Sequence, residues 1–95
     1  MAKYVLLTRI FPEAFRYPAK FRQQSEELLA ILKRDCPGVR WKHSYATTGR
    51  FDVVDVIEAS DPKEVEKAAM IIRAYGHADT EVLSAVPWGD FLGSL

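Results

Sequence analysis

Thr47-Thr48-Gly49-Arg50-Phe51-Asp52 runs directly into Val53-Val54-Asp55-Val56-Ile57. Glycine accepts the positive φ of a tight turn, and the β-branched run after it predicts a strand that is apolar on both faces. Working backwards, Val39 to Thr47 alternates as a strand, with Trp41, His43 and Tyr45 on one side and Arg40, Lys42 and Ser44 on the other. The glycine turn therefore predicts an antiparallel hairpin between the second and third strands.

The rest of the chain arranges itself around that hairpin. Lys3 to Ile10 alternates as a first strand, ended by Pro12. Pro18 suits the first turn of a helix. Phe21, Leu28, Ile31 and Leu32 then recur at helical spacing until Cys36-Pro37-Gly38, with Lys33 and Arg34 in the last turn. Asp61-Pro62-Lys63-Glu64 reads as an N-cap, a proline at the first helical position and the glutamate of a capping box; Val65, Ala68, Ala69 and Ile72 follow, then a Gly76 stop. Thr80 to Val86 forms the last strand, and Pro87 releases a tail from Trp88 to Leu95. The order βαββαβ predicts an α+β, ferredoxin-like antiparallel sheet with both helices on one face, as a single domain over residues 1–95. An apolar third strand needs cover on the other face too. A second copy supplies it in an isologous sheet-to-sheet contact, giving a dimeric α/β barrel or a higher homo-oligomer.

Composition narrows the function classes. The 95 residues are 48% hydrophobic and 27% charged, and 13 basic residues balance 13 acidic ones with no run of one sign. That balance argues against nucleic acid as a partner. Tyr4-Val5-Leu6-Leu7 is too short for a signal peptide, and no stretch nears the roughly 20 apolar residues of a membrane span, so a cytoplasmic protein without a membrane partner is expected. The single Cys36 reads as an ordinary small residue and His77 as a solvated loop residue; neither belongs to a metal-ligand pattern, and no motif calls for a cofactor.

Several patches carry a family likeness. Val5-Leu6-Leu7-Thr8-Arg9 followed by Pro12-Glu13, then Gly49-Arg50-Phe51-Asp52, Glu58-Ala59, Asp61 and Thr80-Glu81, resembles in order and spacing the GYD domain family. Phe51 stands where that family prefers tyrosine, and Ala14 where it often has glycine. The resemblance implies a dimeric α/β barrel and carries over no catalytic residue. A more distant likeness is to the ligand-sensing domain of leucine-responsive regulators, with a similar hairpin before its third strand; the helix-turn-helix of those regulators is not in this sequence.

Candidate chemistry comes from the hairpin register. With Thr48-Gly49 as a two-residue turn, Tyr45 faces Asp52, His43 faces Val54, Trp41 faces Val56 and, on the other side, Lys42 faces Asp55. Trp41, His43, Tyr45 and Asp52 would then share one face as a small-molecule wall, with His43, Asp52 and Tyr45 as candidate catalytic groups. The competing reading makes the aromatics interface residues and Asp52 an acceptor for turn hydrogen bonds from Thr47, Thr48 or Tyr45. Asp55, midway along a central strand, needs a partner; Lys42 is the first choice and Arg9 the second. Three functions are compatible with these residues: a small oligomeric domain binding a small molecule between sheet and helices or at the dimer interface, a cofactor-free oxygenase or isomerase using a barrel pocket, and a purely structural or regulatory oligomer.

Overall fold

The computed structural model describes residues 1–95, the side chain of Phe15 aside. Its elements are β1 (Ala2–Ile10), a 3-10 turn (Pro12–Phe15), α1 (Pro18–Asp35), β2 (Arg40–Ala46), β3 (Val53–Ala59), α2 (Pro62–Tyr75), β4 (Ala78–Ala85) and α3 (Trp88–Gly93). The four strands form one antiparallel sheet in the order β2-β3-β1-β4, the ferredoxin-like arrangement expected from the element order. The tail after Pro87 is more regular than its composition suggests, since it closes a short helix.

Alternation sorts the sheet into two faces. Tyr4, Leu6 and Thr8 of β1 pair with Ile57, Asp55 and Val53 of β3, and these residues face the helices. Leu6, Ile57 and Ala59 are fully buried there against Val65, Ala68, Ala69 and Ile72 of α2. The i, i+3, i+4, i+7 spacing of that α2 quartet places all four on one stripe. Asp61 caps α2, its carboxylate accepting from the Lys63 amide at 2.9 Å ahead of Pro62 in the first turn. Glu64 lies against Gly38, where one Oε2 is buried with no hydrogen-bond partner among the described residues.

α1 is bound less completely. Of its 18 residues only Leu32 is buried, with Leu28 packed partly against the core. Gln24 and Ser25 interrupt the apolar stripe one turn after Phe21, where a helix seated flat on a sheet would carry apolar side chains. A cleft therefore remains between α1 and the sheet. Gly76 closes one end of it; a Cβ there would stand 2.7 Å from the Ile72 carbonyl oxygen.

Among the described residues, no element covers the opposite face. Across its middle run two rows, Leu83–Val5–Val56–His43 and Glu81–Leu7–Val54–Tyr45, flanked at one end by Ala85–Lys3–Glu58–Arg40. Lys3 Nζ binds Glu58 Oε2 at 2.7 Å, which holds the Glu58 carboxyl below its usual range, and Lys42 Nζ stands 3.7 Å from Glu58 Oε1.

Candidate functional site

The hairpin register differs from the two-residue-turn expectation in two ways, and together they redistribute the predicted wall. The connection is longer: the Thr47 amide donates to the Asp52 carbonyl at 2.9 Å, so Thr48 to Phe51 form a four-residue loop with Gly49 at φ +110°. That slides the pairing by two residues, a shift that preserves faces, and His43 meets Val56 while Tyr45 meets Val54. The second difference is a bulge between Trp41 and His43, which pairs Trp41 with Ile57. One extra residue flips everything before it to the other face.

The expected wall of Trp41, His43, Tyr45 and Asp52 is therefore not assembled. Trp41 turns to the helix side and lines the cleft under α1. His43 and Tyr45 stay on the uncovered face, their rings stacked at 6.2 Å and 18°. The expected pairing of Lys42 with Asp55 is replaced through the two-residue slide: Ser44 lies opposite Asp55 and donates its hydroxyl hydrogen to Asp55 Oδ1. Arg9 is on the uncovered face opposite Asp79 and does not reach Asp55 either.

What the helix face does bring together is an apolar cleft of about 510 Å³ with a polar floor. Thr8, Ser44 and Asp55 lie on the sheet, Leu28 and Leu32 come from α1, and Trp41 and Ile72 close the sides. Asp55 is 7% exposed and Thr8 5%. Burial raises the Asp55 carboxyl above its ordinary value, and the Ser44 hydroxyl partly offsets this by stabilising the ionised form. The indole N–H of Trp41 is buried without an acceptor among the described residues. A site between sheet and helices is among the sequence expectations, but Ser44, Leu28 and Leu32 are not named for it; the polar interruption at Gln24-Ser25 is the signal for the cleft under α1, and Ser44 follows only from the longer loop.

The family model of the GYD domain matches residues 4–94. The chain belongs to the GYD domain family. A Thermus thermophilus protein named "Glutamine synthetase and cystathionine beta-lyase binding protein" is 30% identical over 95 residues, covering 100% of this chain and 99% of that protein. The crystal structure of FFRP-DM1 has the same fold, with a TM-score of 0.59 over 90% of this chain and 100% of that one at 23% identity.

In this GYD domain the Gly49-Arg50-Phe51-Asp52 stretch ties the hairpin to β1. The Asp52 amide donates to the Thr8 carbonyl at 2.8 Å, and Asp52 Oδ2 accepts from the Ile10 amide at 2.7 Å. The acid is an acceptor of backbone hydrogen bonds, as one of the two sequence readings holds, although its partner lies on β1 and not in the turn. Thr47 Oγ1 donates to the Phe51 carbonyl at 2.7 Å, and the Arg50 guanidinium sits 5.7 Å from the Phe51 ring centre. His77 is exposed at φ +48°, its carbonyl accepting from the Phe11 amide at 2.8 Å. No helix is long and apolar enough to cross a membrane among the described residues.

Proposed function

We propose that this GYD domain is a self-associating binding module that docks onto another protein, an enzyme of nitrogen or sulfur amino-acid metabolism. The observation that carries the reading is that two apolar surfaces, and not one, are left uncovered. The first is the sheet face centred on Val5, Leu7, Val54 and Val56. A second copy covers it by an isologous contact, because two copies of one apolar face bury each other about a two-fold axis. The second surface is α3, which buries no residue and displays Trp88 at 71% exposure beside Phe91 and Leu92, with the Trp88 and Phe91 rings 5.6 Å apart. Self-association across the sheet accounts for the first and leaves the second for a different chain; aromatic anchors of this kind are the residues that interfaces favour. The named binding role of the Thermus thermophilus relative supports the choice of partner.

Purified protein mixed with glutamine synthetase and with cystathionine β-lyase from its own host, followed by size-exclusion chromatography with light scattering, tests both halves. Expected are a dimer or larger oligomer alone and co-elution with at least one enzyme, with co-elution lost and self-association kept in the Trp88→Ala/Phe91→Ala variant. Failure to co-elute with either enzyme at micromolar concentration removes the partner, and a monomer removes the sheet-to-sheet contact.

A further inference from the structure

The floor of the cleft beneath α1 lacks a positive charge. Asp55 is almost fully buried, and among the described residues its hydrogen bond comes from the neutral Ser44 hydroxyl. Lys3 and Lys42 are held by Glu58 on the other face of the sheet, and Lys33 is exposed at the rim of the cleft. Buried carboxylates are ordinarily paired with a cation, since removing one from water without compensation is costly. The walls select the remainder of an occupant: Leu28, Leu32, Ile72 and Trp41 are apolar, and the volume is that of a small-molecule site.

We propose that this cleft binds a small, largely apolar primary amine, its ammonium group hydrogen-bonded to Asp55 and its hydrocarbon part against Leu28, Leu32, Ile72 and Trp41. An ammonium brings three donors and the missing charge, whereas a carboxylate or phosphate placed there meets a like charge. The site is independent of self-association and of the protein partner, because its lining comes from the helix face of a single chain.

Calorimetric titration of the full chain at pH 7 with 2-phenylethylamine and with its uncharged isostere 2-phenylethanol tests the assignment. The amine binds and the alcohol binds at least about tenfold more weakly, since a charge-assisted hydrogen bond is roughly twice as strong as a neutral one. Asp55→Asn, which keeps the shape and an acceptor for Ser44, weakens the amine by about tenfold or more for the same reason. Ser25→Trp, at an exposed position on the mouth of the cleft, blocks entry without touching the core and also reduces binding. Equal affinity for amine and alcohol, undiminished amine binding in either variant, or no amine binding at millimolar concentration overturns the proposal.

Discussion

Ser44 donates its hydroxyl hydrogen to Asp55 across the β2–β3 ladder, while Lys42, two residues earlier on the same strand, is turned to Glu58 on the other face. The division follows from the bulge between Trp41 and His43. The four-residue loop sets Ser44, a neutral donor, opposite the buried acid; the bulge turns Lys42 away from that face and supplies Glu58 with two lysines. Asp55 becomes a group whose protonation couples to folding.

The sign of that coupling is fixed by burial. Asp55 titrates above its ordinary value of 3.8 in the folded chain, so between the two values the folded state binds more protons than the unfolded one. Its contribution to stability is fully present below the unfolded value and is lost as pH rises through the folded one. Asp55→Asn removes the ionisation and keeps an acceptor for Ser44, so its melting temperature should exceed that of the unaltered protein at pH 7. The difference should shrink as pH is lowered toward 3.8. Melting curves from pH 3 to pH 8 check this; a difference independent of pH would show that Asp55 is already solvated or paired in the native state.

Gly49 sits at φ +110°, and a Cβ built there meets no atom within 4 Å. Any cost of substitution is therefore backbone strain and not collision. Gly49→Val should lose about 1–3 kcal/mol of stability, the range for a non-glycine residue held in a disfavoured region. Chemical denaturation measures it, and an unchanged midpoint would mean that the loop relaxes to another geometry.

Asp52 joins two strands through one carboxylate. Removing it in Asp52→Ala leaves the Ile10 amide without its acceptor, which should cost about 1–3 kcal/mol, whereas Asp52→Asn keeps a carbonyl in place and should cost less. Equal losses in the two variants would assign the effect to charge and not to the hydrogen bond. Because the role is structural, neither change should alter amine binding in the cleft by more than its effect on the folded fraction.

Val54 and Val56 are central on the uncovered face, flanked by Leu7 and Val5 of β1. Val54→Asp and Val56→Asp should each weaken self-association by about tenfold or more while leaving the monomer folded, since desolvating an unpaired charge costs over 1 kcal/mol. Sedimentation gives the dissociation constant and circular dichroism the fold. Loss of fold in both would place these valines in the monomer core and remove the case for a second copy.

The fold was readable because its determinants are local. Pro62 after Asp61, the Val65-Ala68-Ala69-Ile72 stripe and the glycine turn each fix one element, and the element order fixes the sheet. The site was legible only in part. Parity along β2 correctly kept His43 with Tyr45, because a two-residue slide preserves faces; Trp41 was lost to the bulge, for which Arg40-Trp41-Lys42 offers no glycine or proline as a signal. Asp52's bond to Ile10 was equally hidden, since it joins residues 42 apart in sequence.

The bulge itself can be tested by removing its extra residue. Deleting Lys42 would let Trp41 and His43 follow one another as neighbours opposite Ile57 and Val56, which restores regular alternation with Trp41 still on the helix face. Glu58 keeps Lys3 at 2.7 Å, so the ion pair on the other face survives. In a Trp88→Phe background, which silences the exposed tryptophan of α3, the emission of Trp41 should stay at the wavelength of a half-buried indole, with the midpoint of unfolding shifted by less than about 1 kcal/mol. A red-shifted emission with a large loss of stability would mean that β2 had instead slid past β3 by one residue, expelling Trp41 from the helix face and drawing a polar side chain into its place. That outcome would mean that neither the loop after Ala46 nor the packing of Trp41 is enough to hold the register of the hairpin once the bulge is gone.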